Sequence, residues 1–126
     1  MQLEHFAIAS NSEEDSDLFY INLLGMDKVR NFSVSSELMN EFFGIKKEQK
    51  IIRYESQNVV AEVFITEDNN TSKDILTHIC LIIDNRDDFV NKANTMGYKV
   101  TKVLRKDKDT YYLFIKDNYG NVYEIK

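Results

Sequence analysis

Residues 3–8 read Leu-Glu-His-Phe-Ala-Ile, and residues 76–81 read Leu-Thr-His-Ile-Cys-Leu. The histidines of the two stretches, His5 and His78, stand 73 positions apart, and the glycines Gly25 and Gly97, each predicted to end a helix, stand 72 apart. A duplicated unit holds equivalent residues at nearly one spacing. The chain is therefore predicted to contain two copies of one structural unit.

The first copy is predicted to fold as βαβββ. Residues 3–9 indicate a strand that is apolar on both faces except at His5, as expected for a strand beneath a helix. Residues 11–15 supply a capping side chain and acids in the first turn, and an amphipathic helix then runs to Gly25. Strands are expected at residues 28–35, 49–54 and 59–65, with a helical turn at 36–43 before Gly44.

The second copy repeats this order. It has a predicted strand at residues 76–83, a helix at 87–96 that ends at Gly97, and strands at 100–104, 111–116 and 121–125. The fold class is thus α+β, with two tandem βαβββ units at about 1–67 and 75–126, a polar linker at 68–74, and one domain over residues 1–126.

Composition narrows the possible functions. The formal charge is −5 and the lysines are scattered among acids, so no nucleic-acid partner is expected. Neither a secretory leader nor an apolar run of the ~20 residues that span a bilayer is evident, so no membrane partner is expected. The single cysteine, Cys80, lies in an apolar run and is predicted to be a small buried side chain, which fits a reducing, cytoplasmic location.

Four side chains form the main candidate site. The only two histidines, His5 and His78, occupy the third residue of the first predicted strand in each copy, and Glu62 and Glu124 lie in the last strand of each copy. An unpaired carboxylate among apolar neighbours costs several kcal/mol to bury, so each glutamate needs a partner. If the four side chains converge, they form a mixed nitrogen and oxygen site suited to Ni, Co, Zn, Mn or Fe(II).

Other interpretations of the same residues remain open. Two Glu–His salt bridges are the main structural alternative to a metal site. A second group of side chains is a weaker candidate for an anion clamp, since strand aromatics are usually core residues and strand arginines usually solvated. This group contains Arg53, Tyr54, Arg105, Tyr111 and Tyr112. Residues 117–121 are better explained as a hairpin turn than as a calcium loop, because the oxygen spacing of such a loop is missing.

With these features the chain resembles the vicinal oxygen chelate superfamily, which includes glyoxalase I, bleomycin-resistance proteins and extradiol dioxygenases. The resemblance covers essentially the whole chain. It is carried by Leu3-Glu4-His5-Phe6-Ala7-Ile8, by residues 19–26 and 61–64, by Thr77-His78-Ile79, and by residues 114–125 with their Asp-Asn-Tyr-Gly-Asn turn.

The resemblance implies a cup-shaped mixed sheet with helices outside, closed around a divalent metal held by His5, Glu62, His78 and Glu124. This ligand set is most similar to that of glyoxalase I, which implies a lyase or isomerase acting on a small carbonyl or thioester substrate. The implied chemistry is proton transfer through a metal-bound enediolate, with Glu124, or Glu62 after loosening from the metal, as the catalytic base. A homodimer is also implied.

Departures from the family pattern limit the assignment. No arginine follows the first strand, where bacterial glyoxalase I usually meets glutathione, so a glutathione adduct is not favoured. No patch for a coenzyme A phosphate is evident, and the inserted residues 36–44 are a candidate lid. The alternatives are a metal-free small-molecule binding protein of the bleomycin-resistance kind, and a dioxygenase or thiol transferase in which Glu62 has no metal role.

Overall fold

The computed structural model describes residues 1–106 and 109–126. The chain divides into two compact units, Met1–Asn70 and Thr71–Lys126. Each unit contains a four-stranded mixed sheet, so the predicted α+β class with two tandem βαβββ units is confirmed. The division between the units falls inside the polar segment at residues 68–74.

The first unit contains four strands and two helices. Its strand order is β1-β4-β3-β2, with β1 parallel to β4 and the other neighbours antiparallel. Helix α1 continues without a break into a π-helical segment at Leu18–Leu23. The elements are β1 (Phe6–Ser10), α1 (Glu13–Asp17), β2 (Asp27–Val34), α2 (Ser36–Phe43), β3 (Gln49–Glu55) and β4 (Val60–Ile65).

The second unit has the same order, and its described residues contain no counterpart of the inserted helix α2. Its strand order is β5-β8-β7-β6, and β5 is parallel to β8. The parallel pair at one edge and the antiparallel pairs beyond it repeat the topology of the first unit. The elements are β5 (His78–Leu81), α3 (Arg86–Thr95), β6 (Lys99–Leu104), β7 (Tyr111–Lys116) and β8 (Val122–Ile125).

At the start of each helix, a side-chain oxygen accepts a hydrogen bond from a backbone amide that has no partner within the helix. Ser12 accepts a hydrogen bond from the Asp15 amide at 3.1 Å, and Asn85 accepts one from the Asp88 amide at 3.1 Å. The π-helical segment brings the neighbouring residues Phe19 and Tyr20 into the core, whereas Leu18 is exposed. The helix predicted to run up to Gly25 is therefore present, and its π turns, which are wider than α turns, change which residues share a face.

Alternation along the strands separates a packed face from an open one. In β4, Ala61, Val63 and Ile65 are buried, while Glu62 and Phe64 lie on the opposite face. The packed face of the first unit includes Tyr54 of β3, whose ring stacks on Tyr20 at 4.9 Å. Both candidate glutamates are only partly exposed, and each lies between buried neighbours on its strand.

Several predicted boundaries differ from the structure. β1 begins at Phe6, so His5 lies immediately before the strand, and β5 extends only from His78 to Leu81. These strands are short because the pairing of β1 ends where β4 ends, and the pairing of β5 ends where β8 ends. Cys80 is exposed, which contradicts the predicted buried position, because it lies opposite Glu124 on the open face of its sheet.

None of the helices within residues 1–106 and 109–126 has the length and apolar character needed to cross a bilayer.

Candidate metal centre

The first candidate pair joins His5, just before β1, to Glu62, the third residue of β4. Ala7 lies opposite Glu62 in the parallel ladder, and His5 precedes Ala7 by two residues, so the imidazole and the carboxylate lie on the same face. His5 Nε2 is 3.5 Å from Glu62 Oε2. The histidine side chain is 34% exposed and the glutamate side chain 19%, which leaves the pair partly screened from water.

The second pair repeats this geometry in β5 and β8. Glu124 lies opposite Cys80, and His78 precedes Cys80 by two residues. His78 Nε2 is 3.8 Å from Glu124 Oε2. In both units, therefore, the glutamate faces the second residue after the histidine, and the same two atom types approach each other.

The orientation of His78 determines which nitrogen is available. Its Nδ1 is 2.9 Å from the carbonyl oxygen of Leu76. A carbonyl oxygen only accepts, so Nδ1 carries the hydrogen, and in the neutral ring the Nε2 lone pair then points toward the Glu124 carboxylate. Two acceptors that face each other require a cation or a proton between them.

His5 has a different environment at its second nitrogen. Nδ1 is buried and makes no hydrogen bond within the described residues, since the nearest Glu4 oxygen is 3.7 Å away. An imidazolium paired with Glu62 is compatible with these separations, and so is a shared metal ion. Two ligand atoms on a tetrahedral ion, each at about 2.1 Å, lie about 3.4 Å apart, close to the 3.5 Å observed.

The glutamates have different neighbours on the adjacent strands. Arg53 of β3 pairs with Glu62, and its Nη1 donates to Glu62 Oε1 at 3.1 Å. Across from Glu124 stands Phe114 of β7, while Lys126 Nζ lies 3.5 Å from Glu124 Oε1. Partial desolvation of this exposed side chain, and then a hydrogen bond with Glu124, raises the pKa of the Cys80 thiol.

The other sequence candidates have local structural partners. Tyr54 is fully buried on the packed face and donates to Asp17 Oδ1 at 2.7 Å, so it does not border the His5–Glu62 pair. Tyr111 donates to Asp87 Oδ1 at 2.7 Å and lies under the Arg86 guanidinium. Arg105 stacks on the ring of Tyr112 at 4.3 Å.

The charged neighbours Glu55, beside Arg53, and Lys126, beside Glu124, were missed by sequence reasoning. Glu55 accepts a hydrogen bond from Arg53 Nε at 2.7 Å. The signal was present, because Arg53 and Glu55 are two residues apart on one strand and therefore share a face.

The structure places the two members of each His–Glu pair together. Within residues 1–106 and 109–126, no three His, Cys, Asp or Glu side chains are grouped closely enough to form a ready-made metal cluster. Convergence of both pairs on one ion accordingly stays a prediction. The donor types, imidazole Nε2 and carboxylate oxygen, fit a borderline divalent cation.

The chain belongs to the Glyoxalase/Bleomycin resistance protein/Dioxygenase superfamily, whose model matches residues 2–125. The predicted resemblance is thereby confirmed at the level of the superfamily. No curated protein is significantly similar to the chain in sequence.

Solved structures of the same fold cover nearly the whole chain. A glyoxalase family protein from Bacillus cereus has a TM-score of 0.77 at 12% identity, with 99% of this chain and 92% of that chain covered. One from Enterococcus faecalis has a TM-score of 0.72 at 15% identity, with 98% and 95% covered. A mutant of the fosfomycin resistance protein FosX from Listeria monocytogenes, complexed with Mn(II) and 1S,2S-dihydroxypropylphosphonic acid, has a TM-score of 0.70 at 12% identity, with 98% and 86% covered.

Proposed function

We propose that this protein is a divalent-metal-dependent enzyme of the glyoxalase type, a lyase or isomerase that moves a proton between adjacent carbons of a small carbonyl or thioester substrate. One observation carries the proposal. In both units a histidine Nε2 faces a glutamate oxygen, at 3.5 and 3.8 Å, through the same strand register. This recurrence at equivalent positions supports a shared role for the four side chains.

The proposed ligands of a single Ni, Co, Zn, Mn or Fe ion are His5, Glu62, His78 and Glu124. Such an ion supplies Lewis acidity, which polarises a carbonyl oxygen and makes the hydrogen on the adjacent carbon more acidic. The Leu76 carbonyl supports this role, because it fixes the His78 tautomer that leaves Nε2 free to ligate.

Proton transfer is assigned to the two carboxylates. A base takes the proton from one carbon and returns it to the next, so the reaction needs no external oxidant or reductant. Glu124 is the first candidate, since the residue across from it is Phe114 and the guanidinium of Arg53 is bound to Glu62 instead. Glu62 is the second, acting after loosening from the metal.

Helix α2 is the proposed cover of the Glu62 face. Phe43, the last residue of α2, makes an edge-to-face contact with Phe64 at 5.8 Å between ring centroids. Phe64 follows Glu62 by two residues and shares its face of β4. An apolar wall at this position restricts water near Glu62, which favours return of a proton held there to carbon over its loss to solvent.

The remaining assignments extend the same proposal. Residues 1–126 act as one domain, with residues 68–74 linking the two units, in a cytoplasmic homodimer. The dimer is proposed from the family resemblance, and the single chain exposes large apolar side chains that an interface can cover. These include Leu3, Phe42, Phe43, Ile45 and Leu104.

The test is exchange of substrate hydrogen with solvent. Protein loaded with Ni, Co, Zn or Mn is incubated in D2O with a 2-oxoaldehyde thiol adduct or an epimerisable thioester, and NMR follows deuterium on the adjacent carbon. Glu124→Gln is expected to lower the exchange rate at least 100-fold. Glu48→Gln, at an exposed position on the first unit, is the matched control.

The outcomes separate the alternatives. Metal-loaded protein that neither converts the substrate nor exchanges its hydrogen with solvent contradicts the proton-transfer chemistry. Turnover of fosfomycin in a parallel assay, or oxygen uptake with a catechol, accompanied by full activity in Glu62→Gln, indicates a thiol transferase or dioxygenase instead. Binding of small molecules with no metal under any condition indicates a binding protein of the bleomycin-resistance kind.

A further inference from the structure

The carboxylate of Glu62 is held at both oxygens. Oε2 faces His5 Nε2 at 3.5 Å, and Oε1 accepts a hydrogen bond from Arg53 Nη1 at 3.1 Å. Arg53 lies directly across from Glu62 in the antiparallel ladder of β3 and β4, so the backbone itself fixes this approach. Each oxygen therefore has its own partner, and the plane of the carboxylate is determined by two contacts.

Arg53 is in turn anchored on its other side. Its Nε donates to Glu55 Oε1 at 2.7 Å, and the Arg53 side chain is only 21% exposed. The result is a row of side chains, Glu55, Arg53, Glu62 and His5, that crosses one face of the sheet. A planar guanidinium bound at two edges holds its partners in a defined geometry, which a flexible ammonium does not.

The described residues of the second unit lack this arrangement. The residue across from Glu124 is Phe114, which offers no hydrogen bond. The cation near Glu124 is Lys126, whose Nζ is 3.5 Å from Oε1 and whose side chain is 56% exposed. A solvated lysine at this distance orients a carboxylate weakly. The two His–Glu pairs therefore share a strand register, but only Glu62 is held by a neighbouring guanidinium.

The charge of Arg53 has two opposite effects on a bound cation. Its positive charge repels a divalent ion, whereas its hydrogen bond orients the carboxylate that binds the ion. Glu55, closer to the guanidinium than Glu62 is, offsets the repulsion. Orientation is then the larger effect, as for the hydrogen-bonded outer partners of other metal-ligating carboxylates.

We propose that Arg53 is a positioning residue of the candidate metal centre, which binds one oxygen of Glu62 so that the other is presented, together with His5 Nε2, to the ion. Glu55 is the counter-charge that makes this cation tolerable beside a divalent metal. The inference rests on the proposed metal-dependent function and adds the residues that orient one of its ligands.

The test is metal affinity of the full chain, measured by isothermal titration with Co(II) and Zn(II) and by the visible spectrum of the Co(II) form. Arg53→Gln is expected to weaken binding 10- to 100-fold and to shift the Co(II) bands, because Glu62 is free to rotate. Arg53→Lys retains the positive charge but lacks the planar guanidinium that binds two partners at once. It is therefore expected to recover only part of the metal affinity. Glu55→Gln leaves the guanidinium in place without its counter-charge and is also expected to weaken binding.

Two matched variants control for charge alone. Arg30→Gln removes a positive charge from the same unit at a residue that stacks on Phe32, and Lys92→Gln removes an exposed cation from α3 of the second unit. Both are expected to change the affinity less than threefold. Circular dichroism before titration establishes that each variant is folded. If Arg53→Gln is not folded, the test uses Arg53→Lys in its place.

The results distinguish this inference from the function on which it rests. Wild-type protein that binds metal, with Arg53→Gln and Arg53→Lys binding it equally or more tightly, overturns the role of Arg53 and leaves the metal site standing. Wild-type protein that binds neither Co(II) nor Zn(II) overturns both. Weaker binding in Arg53→Gln with unchanged Co(II) bands also overturns the positioning role, since the carboxylate then has not moved.

Discussion

His78 donates its Nδ1 hydrogen to the carbonyl oxygen of Leu76, two residues earlier in the chain, at 2.9 Å. This contact joins the imidazole to the backbone just before β5, and it sets the ring so that Nε2 faces Glu124. A histidine fixed in this way is prepared for a ligand at Nε2, because its tautomer is chosen before the ligand arrives.

The His78 tautomer can be observed directly. Long-range ¹H–¹⁵N correlation spectra of metal-free protein at neutral pH should show a protonated Nδ1 and an unprotonated, lone-pair-bearing Nε2 for His78. The spectrum of His5→Ala identifies the signals that belong to His78. A dominant Nε2–H tautomer would contradict the assigned hydrogen bond.

The free energy of unfolding should depend on the ionisation of Tyr54 at alkaline pH. Burial first, and then the hydrogen bond to Asp17, raises the pKa of Tyr54 well above its ordinary value. The unfolded chain therefore loses this proton at a lower pH, so the stabilising contribution is complete below about pH 10 and decreases as the pH rises above it.

Urea denaturation from pH 8 to 11 measures this effect. The free energy of unfolding of wild type should fall more steeply above about pH 10 than that of Tyr54→Phe, which has no proton to lose. At pH 8 the Tyr54→Phe variant should be about 1.5–3 kcal/mol less stable, since Asp17 Oδ1 loses its Tyr54 donor and only the Lys28 contact at Oδ2 remains. Tyr112→Phe, at an exposed position, serves as control. Parallel pH profiles for wild type and Tyr54→Phe would refute the coupling.

Asp117 organises the turn between β7 and β8. Its Oδ1 accepts from the amides of Tyr119 and Asn121 at 3.0 and 2.9 Å, and its Oδ2 accepts from the Asn121 side chain at 2.7 Å. Asp117→Asn replaces one acceptor oxygen by a donor, so at least one of these bonds is lost in a buried site. We expect a loss of about 1–3 kcal/mol by thermal or urea unfolding, and less than 0.5 kcal/mol for the exposed Asp84→Asn. Equal stability of the two variants would argue against this role.

Cys80 should react in the native protein. The thiol is exposed and lies opposite Glu124, two residues after His78. Labelling with a maleimide, followed by mass spectrometry, should reach one label per chain without denaturant. Bound metal should slow the reaction, because it occupies the side chains on either side of the thiol. If labelling requires unfolding, Cys80 is buried as expected from the sequence. If bound metal leaves the labelling rate unchanged, Cys80 does not border the metal site.

The order of strands and helices was predictable because the signals are local. Serine and asparagine caps, helix-ending glycines and alternating apolar residues each act over a few positions, and the two copies support each other. The approach of each histidine to its glutamate was predictable for the same reason. Equivalent residues in a repeat have equivalent neighbours.

Features that depend on pairing between distant segments were not predictable. The apolar neighbours of Cys80 do not indicate that its face of the sheet is open. The starts of β1 and β5 depend on where β4 and β8 end. The contact of Arg53 with Glu62 requires the register of β3 on β4, and a shift by one residue would turn the guanidinium to the other face.

The most direct test of the account is the stoichiometry of metal binding. Untagged wild-type protein is incubated with Ni, Co, Zn or Mn, desalted, and analysed by plasma mass spectrometry beside His5→Ala and His78→Ala. We predict about one equivalent of metal per chain in the wild type and its loss in both variants, because each histidine supplies one ligand of a shared ion. Retention of metal in either variant, or no metal in the wild type under any of these conditions, would contradict a single centre built from His5, Glu62, His78 and Glu124.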